Sequence, residues 1–126
     1  MLRVLIGVDD FSLRQALEDI KKSIGDPASL LTNTTVLDGR TVSPEQLRNA
    51  CETVPFLADK RLVVVEGLPE RFEPLKSARG KAPRRVERAE EIKKFVDIAR
   101  SVPPSTALVV IGGEVKLSNP LLRELA

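Results

Sequence analysis

Four short runs rich in Val, Leu, Ile and Thr recur along the chain and are separated by longer segments; they cover residues 3–8, 34–37, 61–66 and 107–111. Apolar runs without polar alternation are typical of strands buried on both faces of a sheet. Because helical segments lie between the runs, we expect parallel strands joined by right-handed crossovers. The sequence therefore predicts one three-layer α/β domain over residues 1–126, with the first strand at the centre of its sheet.

The two segments that follow the first and second runs carry clear helix signals. Asp9 or Asp10 can cap a helix whose apolar residues recur every 3.6 positions, and Gly25 ends it. Residues 43–46, Ser-Pro-Glu-Gln, form a capping box with proline at the first helical position, and Pro55 ends that helix. Each predicted helix thus has a physical reason for where it starts and stops.

Two further helices are predicted in the second half of the chain. One has apolar residues at helical spacing from Ile92 to Ala99 and is stopped by Pro103, and the other begins near residues 118–120. Because the last helix runs to Ala126, a fifth strand would have to come afterwards. We therefore expect these residues to be a fragment of a longer protein.

Composition bounds the chemistry of this chain. Its 126 residues include one cysteine, Cys51, and no histidine, which excludes an internal disulfide and a Cys/His zinc site and removes the commonest general base. The hydrophobic content of 42% and the net charge of +2 suit a soluble globular domain. The first apolar run is too short for a signal peptide or a membrane span. We predict a cytoplasmic protein that is not an enzyme and has no cofactor or metal.

The end of the first strand lacks the residues that bind a nucleotide phosphate. A phosphate-binding loop needs the pattern G-x-x-x-x-G-K-[ST], whose lysine and backbone amides neutralise and surround the phosphates. Counting from Gly7, the required Gly, Lys and Ser/Thr positions hold Ser12, Leu13 and Arg14. The topology suggests a nucleotide-binding ancestor, but the binding residues are missing.

An alternative function is a phosphate-handling switch or a degenerate nucleotide-binding domain. Asp9 and Asp10 follow the first strand, as do the paired magnesium-binding acids of receiver domains. A receiver also needs an aspartate at the end of its third strand, where this chain has Glu66. The simpler interpretation is that Asp9 and Asp10 cap a helix, since carboxylates at a helix N-terminus accept from free amides.

A basic segment follows the third strand. Residues 67–85 contain three prolines and two glycines and few apolar side chains, so we predict a long surface insertion. Between residues 76 and 88, six basic side chains stand against one acid, and they are candidate contacts for nucleic-acid phosphates. A solvated loop is the simpler interpretation, because no aromatic residue accompanies them. The six are Lys76, Arg79, Lys81, Arg84, Arg85 and Arg88.

Two large apolar side chains, Phe56 and Leu57, follow Pro55 at the end of the second helix. Neighbouring residues rarely face the same core, so the pair can either pack inward or leave one side chain exposed. An exposed pair would suit a plug that enters a hydrophobic pocket of a partner. The residues alone leave both alternatives open.

The order of these features resembles the N-terminal domain of the delta subunit family of bacterial DNA polymerase III. The resemblance spans essentially the whole chain and rests on residues 7–13, 37–39 and, most specifically, 55–65. It implies a P-loop NTPase/AAA+-like core that has lost nucleotide binding and is not an enzyme, within a holoenzyme that is a DNA-directed DNA polymerase. The family is part of the clamp loader, which acts in DNA replication.

The resemblance also implies a binding role and partners. By match to the family's motif, Phe56 and Leu57, with Pro55 beside them, would bind the ring-shaped sliding clamp, the beta subunit, and help to open it for loading onto DNA. Further partners would be the ATP-binding gamma/tau subunits and delta prime, with DNA bound through the assembled complex and no membrane. The basic insertion departs from the compact core of the family.

Overall fold

In the computed structural model, the described residues are 2–7, 9–56, 58–72, 85–113, 115 and 118–125. They form a four-stranded, fully parallel sheet in the order β1-β4-β3-β2. The strands are β1 (Leu2–Ile6), β2 (Thr34–Asp38), β3 (Arg61–Glu66) and β4 (Thr106–Gly112). The predicted α/β class and all four predicted strands are confirmed.

Five of the described helices lie between the strands, and a sixth follows β4. They are α1 (Asp10–Ile24), α2 (Pro27–Thr32), α3 (Pro44–Glu52), α4 (Leu68–Arg71), α5 (Arg85–Arg100) and α6 (Pro120–Leu125). The four predicted helices correspond to α1, α3, α5 and α6. The short helices α2 and α4 were not predicted. Among the described helices, none has the length and apolar character needed to cross a membrane.

The predicted helix starts are present in atomic detail. In α3, the Gln46 amide donates to the Ser43 hydroxyl at 3.1 Å and the Ser43 amide donates to the Gln46 side chain at 2.9 Å. At α1, Asp9 is the N-cap and its carboxylate accepts from the Phe11 amide at 3.0 Å. Each side chain satisfies an amide that has no partner within the helix.

Two apolar cores cover the two faces of the sheet. On one face, alternate residues of β3 and β4 pack against α3, α5 and α6. On the other, the intervening residues, including Leu62 and Val109, pack against α1 and α2. Strand β1 pairs with β4 alone among the described strands, so its predicted central position is wrong. An apolar run indicates helices above and below a strand, but carries no information about its neighbours within the sheet.

The predicted surface insertion at residues 67–85 does not hold for its first six residues. Gly67, in the left-handed conformation at φ 89°, starts α4, and both Leu68 and Phe72 are buried in the larger core. Pro69 stands in the first turn of α4, where its missing N–H costs nothing, so it begins a helix and does not break one. Arg85 is the first residue of α5. Residues 73–84 lie outside the described part of the chain.

Candidate functional site

The carboxyl ends of the strands are where open α/β sheets usually bind ligands, and here α4 packs across them. A Cβ at Gly39, just after β2, would lie 2.3 Å from the Leu68 nitrogen, so the two backbones are in direct contact. A Cβ at Gly112 would lie 2.9 Å from Pro69 Cγ. The buried Asn119 donates from its side chain to the Pro69 carbonyl at 2.8 Å. Helix α4 is thus fixed against the loops after β2 and β4.

A cleft beside the ends of β2 and β3 is acidic. This cleft of about 500 Å³ is lined by three carboxylates, Asp38, Glu66 and Glu70, and by one guanidinium, that of Arg40. Such a lining repels a phosphate group. Within the described residues, no group of three His, Cys, Asp or Glu side chains is placed to hold a metal ion. The cleft therefore has the wrong charge for a nucleotide.

The paired acids of the alternative function serve as a helix start. The carboxylate of Asp9 accepts from the Ser12 hydroxyl at 2.7 Å, and this bond, with that from the Phe11 amide, lowers the pKa of Asp9. Asp10 occupies the first turn of α1. Glu66 ends β3, which is separated from β1 by β4, so about 10 Å of sheet lies between the two strands. The structure does not bring Glu66 together with Asp9 and Asp10.

At the opposite, amino end of the sheet, residues 53–60 connect α3 to β3, and we call this segment the Phe56 loop. Val54 and Phe56 are 80% and 64% exposed, and Pro55 is half-buried. Leu57 lies outside the described residues. Of the two alternatives that the sequence left open, the exposed one holds for Phe56.

One side chain outside the loop holds its tip. Asn33, only 1% exposed, donates from its side-chain amide to the Phe56 carbonyl at 2.9 Å and accepts from the Phe56 amide at 2.6 Å. Asn33 itself stands between α2 and β2, where its backbone amide donates to the Leu30 carbonyl and its carbonyl accepts from the Leu62 amide. The exposed residue is thereby tied to the sheet through its main chain. Asn33 was missed in the sequence, because nothing local marks a contact across 23 positions.

Side-chain hydrogen bonds to main-chain carbonyls also fix the two ends of the Phe56 loop. Before the loop, Arg61 Nε donates to the Ala50 carbonyl at 3.1 Å, and the buried Thr106 hydroxyl donates to the Cys51 carbonyl at 2.7 Å. These bonds satisfy carbonyls that the end of α3 leaves without intrahelical partners. At the last residue of the loop, Lys60 Nζ donates to the Pro104 carbonyl at 2.8 Å. The described residues of the loop are therefore held at Phe56 and at Lys60, and the end of α3 before them is held as well.

The thiol nearest this loop has no catalytic character. Cys51 is buried in α3 beneath the loop, and burial raises the pKa of its thiol to about 11. A thiol with so high a pKa is almost entirely protonated at neutral pH and is a poor nucleophile. The chemistry available at this end of the sheet is hydrophobic contact.

The structure leaves the six predicted nucleic-acid contacts as predictions. Lys76, Arg79, Lys81 and Arg84 lie outside the described residues. Arg85 and Arg88 belong to α5, but their side chains are not described.

Comparisons with known proteins agree with this architecture. A sequence model of the family "DNA polymerase III, delta subunit" matches residues 4–121. No curated protein is significantly similar in sequence. A solved structure of the Bacillus subtilis DNA clamp loader delta protein (YqeN) superimposes with a TM-score of 0.72 at 20% sequence identity. The match covers 98% of this chain and 35% of that one, so the chain spans about a third of its length.

Proposed function

The chain belongs to the DNA polymerase III delta subunit family, and from this premise we propose that it is a non-catalytic clamp-loader component that binds the sliding clamp through Phe56. Leu57 and Pro55 complete the binding element by their match to the family motif. The partners of the assembly would be the clamp, the ATP-binding gamma/tau subunits and delta prime, with DNA bound by the whole complex. The proposal places the protein in the cytoplasm, within the replication machinery.

The observation that carries the proposal is an exposed aromatic side chain on an ordered loop. Phe56 leaves 64% of its surface in water, which is unfavourable unless a partner covers it. Transfer of such a side chain into an apolar pocket contributes about 1.5–3 kcal/mol. Because Asn33 already fixes the Phe56 main chain, little conformational entropy of the backbone is lost on binding.

The mechanism we propose for ring opening is mechanical. A clamp subunit bound at the Phe56 loop would be held in a shape that fits poorly with its closed neighbour. Such binding shifts the ring toward the open form by no more than the difference between the two binding free energies. The energy of ATP would enter through other subunits that control access to the loop, since α4 and three carboxylates occupy the ligand-binding end of this sheet.

Binding of the full chain to the sliding clamp, measured by calorimetry or a biosensor, tests this function. We expect Phe56→Ala to weaken binding about 10- to 100-fold, the loss that corresponds to burying one large apolar side chain. Phe11→Ala is the matched control, because Phe11 is 74% exposed and lies in the first turn of α1, at the other end of the sheet. Equal affinity of wild type and Phe56→Ala would overturn the proposed function.

A further inference from the structure

The contact between Asn33 and Phe56 has an unusual arrangement. Two hydrogen bonds of the Asn33 side chain go to one residue, and each reaches its main chain, at 2.9 Å to the carbonyl and 2.6 Å from the amide. Two bonds to the same residue restrict the orientation of its peptide groups, and therefore the direction in which its Cβ leaves the backbone. The side chain of Phe56 stays exposed while its main chain is fixed.

Asparagine is suited to this contact by its chemistry. A short side-chain amide carries a donor and an acceptor on one planar group, as a neighbouring strand does with its own N–H and C=O. Asn33 is itself held in place, since its backbone amide and carbonyl are bonded to Leu30 and Leu62. The ring of Pro55 fixes the φ angle of that residue, immediately before Phe56 in the chain. The main chain of Phe56 is therefore bonded to a residue fixed on the sheet, and the backbone of the residue before it has little conformational freedom.

We propose that Asn33 is a positioning residue that presents Phe56 to the sliding clamp and so sets the affinity of that contact. This inference rests on the proposed function. Asn33 is buried and does not touch the partner itself. It acts by keeping the free loop in the conformation that binds, which removes the cost of selecting that conformation from a mixture.

The variant Asn33→Asp gives this proposal a pH signature. An ionised carboxylate still accepts from the Phe56 amide but faces the Phe56 carbonyl oxygen, whereas a protonated carboxyl can donate to it and restore both bonds. We expect clamp affinity about tenfold below wild type at pH 8, from the loss of one buried hydrogen bond. The clamp affinity of Asn33→Asp, divided by that of the wild type at the same pH, should approach one near pH 5. The control is Asn49→Asp, the same change at an exposed position of α3.

A double-variant cycle separates positioning from a general structural role. If Asn33 acts through Phe56, Asn33→Asp should cause no further loss of affinity in a Phe56→Ala background. A measurement on the wild type needs no variant: the Phe56 amide should be protected from hydrogen exchange by its bond to Asn33. This readout remains available should Asn33→Asp fail to fold.

The outcomes distinguish the two proposals. Unchanged clamp binding in Phe56→Ala overturns the proposed function and this inference with it. Weak binding by Phe56→Ala, together with wild-type affinity of Asn33→Asp at pH 8, overturns the positioning role alone. An equal loss from Asn33→Asp in both backgrounds, or exchange of the wild-type Phe56 amide at the rate of an unstructured peptide, also overturns it. The pH-dependent loss, confined to the background that retains Phe56, supports it.

Discussion

The two ends of the parallel sheet differ in how their loops are held. At the carboxyl end, α4 lies directly against glycine backbone at Gly39 and Gly112, so the contact depends on the absence of side chains. At the amino end, the side chains of Asn33, Arg61 and Thr106 reach the main chain of α3 and of the Phe56 loop. The first arrangement covers part of the end where open α/β sheets bind ligands, and the second fixes the main chain of the exposed Phe56. The two ends of one sheet are thus held by different kinds of contact.

The largest effect on stability is expected at the carboxyl end. Gly39→Ala would place Cβ 2.3 Å from the Leu68 nitrogen, a clash with backbone that no side-chain rotation relieves. We expect a loss of about 3 kcal/mol in the free energy of unfolding, the upper range for overpacking, measured by urea denaturation. The control is Gly25→Ala, where a Cβ meets nothing within 4 Å. Equal stability of Gly39→Ala and Gly25→Ala would show that α4 is not packed on Gly39.

A smaller effect is expected from loosening the amino end. Thr106→Val keeps the shape of the side chain but removes the hydroxyl that donates to the buried Cys51 carbonyl. The expected cost is about 1–2 kcal/mol for an unsatisfied buried acceptor, again from urea denaturation. Thr41→Val makes the same change at the carboxyl end, where the exposed hydroxyl is 3.5 Å from the Asp38 carbonyl. An equally small loss of unfolding free energy in both variants would show that the hydrogen bond from Thr106 to the Cys51 carbonyl does not stabilise the fold.

The smallest effect concerns the exposed start of α1, beside the carboxyl end. The pKa of Asp9 is lowered chiefly by the Ser12 hydroxyl, so Asp9 stabilises the folded chain above its ordinary pKa, and this contribution is lost as pH falls through the folded value. Ser12→Ala should raise the pKa of Asp9, seen by NMR titration. The difference in stability from wild type should be present near neutral pH and vanish in acid. Ser23→Ala, at the far end of α1, is the control and should leave the titration of Asp9 unchanged. An unchanged Asp9 pKa in Ser12→Ala would contradict the role of the Ser12 hydroxyl in lowering it.

The sequence was most informative where the cause of structure is local. The capping box of α3 and the strand β3 needed only adjacent residues, and both are present. Helix α2 is only six residues long, too short to show apolar residues repeating at helical spacing. Helix α4 is stabilised by contacts of Leu68 and Phe72 with the core, which are not visible in the local sequence. The lateral position of β1 depends on hydrogen bonds with β4, more than 100 positions away.

The candidate site could be predicted in part. The family resemblance made Phe56 a candidate for partner binding, which stays a prediction, whereas the exposure of its side chain is seen only in the folded structure. The residues that hold the loop could not be predicted, because Asn33 and Thr106 lie 23 and 55 positions from the groups they contact. Asparagine and threonine are common in turns and strands, so neither residue type marks a special role. The contacts that Asn33 and Thr106 make are set by tertiary structure alone.

The bonds that hold the Phe56 loop end on main-chain atoms that every amino acid except proline possesses. Asn33 contacts the main-chain amide and carbonyl of Phe56, and the donors from Arg61 and Thr106 reach main-chain carbonyls of α3. Replacement of Phe56 by any residue other than proline therefore keeps the donor and acceptor of each bond. Under the proposed function, the side chain that binds the clamp and the residues that hold the loop are separate, so a change of specificity at position 56 would leave the framework around it constant.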